Sequence, residues 1–184
     1  MVVHKGTQRI ETNRLILRRF SKSDAHDMFH NWANDEDVTR FLTWEPHKTI
    51  EVTETILDTW TQGYTEENYY MWAIVPKDYG KVIGSISVGN QSDGNDHCEI
   101  GYCISKAYWG QGITTEAFQA VIQYLMHTVG YERIQAIHYV ENAASGRVME
   151  KAGLTYEGCM RHFHKHEEGH YYDCALYGII REDL

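Results

Sequence analysis

Ile100-Gly101-Tyr102-Cys103-Ile104-Ser105-Lys106-Ala107-Tyr108-Trp109-Gly110-Gln111-Gly112-Ile113-Thr114-Thr115-Glu116 is the stretch that decides the fold. It reads as a short apolar strand, a turn bracketed by Gly110 and Gly112, and a helix start with no acidic residue before Glu116. Such a turn leaves several backbone N–H groups unpaired at the positive end of a helix dipole. Two of its positions carry no side chain, so a phosphate oxygen can approach closely and the stretch reads as an anion cradle. It is not a P-loop, because Gly112 is followed by Ile113 rather than lysine, and a dinucleotide fingerprint would need glycine where Thr115 stands.

Before the cradle, Tyr69 to Val75, Val82 to Gly89 and His97 to Ile104 are strand-like runs. The turns Asp78-Tyr79-Gly80 and Ser92-Asp93-Gly94-Asn95 between them predict antiparallel neighbours. Nearer the start, Arg14 to Phe20 alternates as a first strand. Ser21 and Asp24 resemble a capping box ahead of the helical spacing Ala25, Met28, Phe29, Trp32 and Ala33. Thr49 can cap a second helix whose Val52, Ile56, Leu57 and Trp60 share a face. After the cradle, Phe118, Val121, Ile122, Leu125 and Val129 repeat at helical spacing. Arg133 to Val140 then reads as a strand, Ala143 to Ala152 as a short helix closed by Gly153, and Thr155 to Phe163 with Tyr171 to Ile180 as a last hairpin. This order implies a mixed sheet covered by helices.

At 184 residues the chain suits one well-buried domain, and with two prolines and 42% hydrophobic residues it shows no disordered linker. A net charge of −9 argues against nucleic acid or an anionic membrane as partner and suits an amine-bearing one. No apolar run reaches the roughly 18 residues of a membrane span. Cys98, Cys103, Cys159 and Cys174 lack paired metal spacing, and no secretory pattern opens the chain, so a reduced, cytoplasmic protein is expected.

Four stretches together resemble the GNAT superfamily of acyl-CoA-dependent N-acyltransferases. They are Arg14-Leu15-Ile16-Leu17-Arg18; Glu99-Ile100-Gly101-Tyr102 with Tyr108 to Ala117; Asn142-Ala143-Ala144-Ser145; and Lys151 to Gly158. They look most like the branch that acetylates ribosomal-protein N-termini. The resemblance implies one α/β (α+β) domain over 1–184, with its core over about 12–181. Its mixed, mostly antiparallel sheet would have about seven strands flanked by four helices. It also implies acetyl-CoA as co-substrate, with Cys103 and Ile104 offering backbone groups to the pantetheine arm. Gly110, Gln111, Gly112, Ile113, Thr114 and Thr115 would hold the diphosphate, and Asn142 and Ser145 would also touch the cofactor. Asn142 reads equally as an N-cap, and the two roles are compatible. Ala107 departs from the arginine or glutamine usual at the motif's start.

Attack on a thioester needs a neutral amine, a polarised carbonyl and a partner for the departing thiolate. With reference pKa values of about 8 for an α-amino group and about 10.4 for lysine, deprotonation at pH 7 costs roughly 1.4 and 4.6 kcal/mol respectively. By the resemblance, Glu99 is the base acting through water, against the reading of a solvated strand carboxylate. Ser145 is the thiolate partner, since Met149 stands where many members carry tyrosine. His164, at a second base position, is the alternative. His162, His164 and His166 alternate along one strand, but no metal is expected. Trp32, Trp44 and Tyr102 are assigned to the acceptor. That acceptor is a protein N-terminus or, alternatively, a polyamine, amino acid or aminoglycoside. A non-catalytic CoA-binding sensor is the remaining alternative, and the protein would be a monomer or homodimer.

Overall fold

The structure, a computed structural model, describes residues 1–165 and 169–184, so His166 lies outside the described residues. The elements run β1 (Ile10–Glu11), β2 (Leu15–Arg18), α1 (Ala25–Met28) continued as a π-helical stretch through Phe29–Ala33, α2 (Glu36–Thr39), α3 (Ile50–Gly63), β3 (Met71–Pro76), β4 (Gly84–Ser92) and β5 (His97–Ile104). They continue with α4 (Ile113–Gln123), itself extended in π form through Tyr124–Val129, then β6 (Arg133–Tyr139), α5 (Ala143–Ala152), β7 (Thr155–Lys165) and β8 (Tyr171–Ile180).

The strands form one eight-stranded sheet in the order β1-β2-β3-β4-β5-β6-β8-β7. All neighbours are antiparallel except β5 and β6, which run parallel and pair only at His97 with Arg133, Cys98 with Ile134 and Glu99 with Gln135. Beyond Glu99 the two strands part, and the opening positions the site. The sheet is thus mixed and mostly antiparallel, with eight strands where about seven were expected. The extra one, β1, pairs through only Ile10 with Leu17 and Glu11 with Ile16, too short for alternation to reveal it. A fifth helix, α2, is a single turn capped by Asp35, whose carboxylate accepts from the Asp37 N–H at 2.9 Å.

Helices cover both faces. On one, α4 and α5 bury Phe118, Val121, Leu125 and Met149 against Trp72, Ile86, Ile100 and Ile134. On the other, α1 and α3 bury Met28, Trp32 and Leu57 against Ala73 and Val75. Along the central strands β2 to β5, alternate residues therefore face one helix layer or the other. The inward face of α3 is turned from the one expected: Thr53 and Leu57 are buried, while Val52 is 43% exposed. Thr53 faces inward because its hydroxyl bonds His47 Nδ1 at 2.8 Å. Asp24 accepts from the Ser21 N–H at 2.8 Å, as a capping box requires. It also takes both arms of the Arg18 guanidinium at 2.8 Å, forming a largely buried ion pair.

Candidate active site where the sheet parts

Gly110 and Gly112 have φ of +73° and +74°, the left-handed region where a residue with a Cβ costs about 1–2 kcal/mol. Gly112 is the N-cap of α4, and the N–H groups of the first turn have no intrahelical acceptor. Gly110 has open space where a side chain would stand. These groups border a cleft of about 570 Å³ walled by Tyr102, Cys103, Ile104 and Trp109 on one side and Asn142 to Ser145 on the other. Arg40, Arg147 and Lys151 stand along it with Asp37 and Glu141, so cations outnumber carboxylates there in a chain of strong net negative charge. Dipole, bare backbone and cations together fit a diphosphate.

Individual side chains refine this picture. The Gln111 amide donates to the Ala107 carbonyl at 2.8 Å, tying the loop to itself. The Ile104 carbonyl accepts from the Trp109 indole at 3.0 Å, so that oxygen is engaged within the chain. Asn142 is the N-cap of α5, its Oδ1 accepting a long bond of 3.4 Å from the Ser145 N–H, which leaves the amide N–H groups as donors. Cys103 is packed inward with its thiol 3.3 Å from the Ser85 hydroxyl, and burial pushes that thiol's pKa up.

Tyr102, assigned to the acceptor, lies instead on the α4–α5 face. Its hydroxyl donates to the Ser145 carbonyl at 3.1 Å and sits 2.8 Å from Ser145 Oγ. Burial raises its pKa above the ordinary value, so it remains a neutral donor. The alternation of β5 explains the placement: Cys98, Ile100, Tyr102 and Ile104 point to the α4–α5 layer, and Glu99 and Cys103 to the other.

On that other face Glu99 is held at both oxygens, by Asn90 Nδ2 at 3.2 Å and Gln135 Nε2 at 3.0 Å. Asn90 adopts φ of +43° at a break in the β4–β5 register, which turns its amide toward the carboxylate. His164 Nδ1 lies 3.2 Å from the Tyr139 hydroxyl, and the Tyr139 ring stacks on Tyr172 with centroids 4.6 Å apart. Tyr139, Tyr172, Trp44 and His47 help line a second cleft of about 870 Å³, which shares Asp37, Arg40 and Leu42 with the first. Trp44 therefore lines an open cleft. Trp32 does not, being 0% exposed and packed on Phe20 in the core. Glu99, Ser145 and His164 are not bonded to one another. His162 breaks the alternation expected of the histidines: it sits at φ +52° in an irregular part of β7, stacked on Tyr171. Among the described residues no three His, Cys, Asp or Glu side chains converge as for a metal.

Trp109 and Lys151 fall inside the quoted stretches and Arg147 two residues beyond one, but the sequence offered no signal that these side chains line the cleft, nor for the Tyr139–Tyr172 stack. Those assignments need the packing of distant segments.

Residues 14–155 match the acetyltransferase (GNAT) domain family, and the chain belongs to it; the protein is an N-acetyltransferase. It is similar to the uncharacterized N-acetyltransferase YoaA of Bacillus subtilis, 33% identical over 172 residues, covering 94% of this chain and 96% of that one. The [ribosomal protein uS5]-alanine N-acetyltransferase of Escherichia coli is 26% identical over 156 residues, covering 82% and 79%. A solved GNAT-family acetyltransferase from Bacillus anthracis superposes with a TM-score of 0.83 at 26% identity, covering 95% of this chain and 99% of its own. Among the described residues no helix is long and apolar enough to cross a membrane.

Proposed function

We propose that this N-acetyltransferase acts on the α-amino group of a protein or peptide, with ribosomal-protein N-termini as the acceptor class, and that residues 1–184 work as one acyltransferase domain in the cytoplasm. Acetyl-CoA supplies the activated acetyl group as a thioester. The observation that carries the proposal is the pair of adjoining clefts, which share Asp37, Arg40 and Leu42 as lining. The cradle cleft suits the cofactor, and the larger, aromatic-walled one is broad enough for a chain terminus. The resemblance to a uS5-alanine acetyltransferase adds weight to an α-amine.

In this proposal Gly110 to Thr115 bind the diphosphate through backbone N–H groups and the Thr114 and Thr115 hydroxyls, and Asn142 donates to the arm. Glu99 takes the amine proton through water: each of its oxygens keeps a lone pair beyond the one used by Asn90 or Gln135. Ser145 Oγ–H, backed by Tyr102, donates toward the departing sulfur. His164 is the second candidate base. An α-amine asks little of either, because its neutral form costs only about 1.4 kcal/mol at pH 7.

The test is thiol release measured over a panel of amines: peptides carrying ribosomal-protein N-termini, free amino acids, polyamines and aminoglycosides. Peptide turnover with kcat/KM well above the small amines is expected. Turnover restricted to polyamines would overturn the acceptor assignment while leaving the acetyltransferase intact.

A further inference from the structure

We propose that Arg14 is a positioning residue for the diphosphate cradle, an inference that rests on the acyl-CoA assignment of that cradle. From the residue just before β2, Arg14 reaches across to the head of α4. Its Nε donates to Glu116 Oε2 at 2.6 Å and its Nη1 to the Gln111 carbonyl at 3.0 Å. The Arg14 backbone N–H and the Thr12 hydroxyl both donate to Glu116 Oε1, at 2.9 and 2.6 Å. Arg14 Nη2 lies 3.6 Å from the point where a side chain on Gly112 would begin.

Two consequences follow from this geometry. In a trans peptide the carbonyl and the next N–H point in opposite directions. Holding the Gln111 carbonyl therefore aims the Gly112 N–H away from Arg14, and Gly112 lines the cleft. The second consequence concerns charge. Glu116 is the acidic residue in the first turn of α4, where a free carboxylate would repel a diphosphate. Arg14 and Thr12 tie that carboxylate down, leaving the positive helix end unopposed. The Gln111 side chain is spent on Ala107, and Ala107 offers no side-chain donor, so the guanidinium is what braces the turn from the β2 side.

The experiment is calorimetric titration of the full chain with CoA and with S-acetylpantetheine, which carries the thioester but no diphosphate. Arg14→Ala is expected to raise the Kd for CoA by about 10- to 100-fold, the scale of a lost charge-assisted bond. Binding of S-acetylpantetheine should be unaltered, and KM for acetyl-CoA should rise with little change in kcat. Arg14→Lys, which keeps the charge but cannot serve Glu116 and Gln111 together, should fall between, and it carries the test if the alanine variant does not fold. Equal weakening of both ligands would mean a general structural role and overturn the proposal, as would an unchanged Kd for CoA. If the natural chain binds CoA no better than S-acetylpantetheine, the cradle assignment itself falls, and the role of Arg14 with it.

Discussion

Tyr102→Phe removes one hydroxyl and little else. That hydroxyl donates to the Ser145 carbonyl and lies 2.8 Å from Ser145 Oγ. It has one proton to give. Given to Oγ, that proton frees the serine's own hydrogen to face the cleft; given to the carbonyl, it leaves the tyrosine oxygen to accept from the serine. Losing a neutral bond of this kind costs about 1 kcal/mol. For a domain of this size that lowers Tm by about 2–4 °C. The effect on rate should be larger. A thiol with a reference pKa of about 8.5 leaves fairly readily at pH 7, so help with its departure belongs at the low end of acid catalysis, about 100-fold in kcat. The assay is thiol release at saturating acetyl-CoA and peptide for Tyr102→Phe, Ser145→Ala and the double variant. Two groups acting as one unit give a double variant no slower than the worse single. Unchanged kcat in Tyr102→Phe, or fully multiplicative losses in the double, would refute the relay. Because burial holds the Tyr102 pKa high, its own ionisation should not shape the pH–rate profile below about pH 10.

Glu99→Gln should lower kcat about a hundredfold or more with little change in the Kd for acetyl-CoA, since the carboxylate does not line the cradle cleft. Undiminished turnover would remove Glu99 from the mechanism and pass the proton to His164. His47 offers a stability test. Burial lowers its pKa from the ordinary 6.5, so the unfolded chain takes up a proton at a pH where the folded chain resists it. Stability should therefore decline as pH falls from about 6.5 toward the lowered native value, by up to about 1.4 kcal/mol per pH unit, and His47→Gln should remove that part of the slope. Identical slopes in urea melts of the two proteins between pH 7.5 and 5.5 would contradict the assignment.

The strand, glycine turn and helix start of the cradle were legible from residues alone because their information is local, whereas the cofactor reading leaned on the family resemblance. Two glycines with a strand before and helical spacing after suffice for those elements, and β5 and α5 fall on the ranges read from the sequence. Elements shorter than one period were invisible, as β1 and α2 show, since alternation and helical spacing need several positions. Facing was the other gap. Nothing in the sequence separates Trp32, sealed beneath the sheet, from Trp44, which lines a cleft. Tyr102 found its partner at Ser145 and Arg14 found Glu116, pairs 43 and 102 residues apart. Such pairings follow from the sheet order and from which layer each strand residue faces.

The brevity of the β5–β6 seam has a mechanical consequence. Register pairs run the full length of β6 against β8, but only three residue pairs join β5 to β6, so the two leaves of the sheet are stitched at one end and loose at the other. An extended ligand arm bearing its own amides, laid into that gap, would serve as a keystone strand, cross-bracing leaves the polypeptide alone leaves unlaced. Occupancy and rigidity would then rise together, and the sheet would be stiffest while that arm is in place.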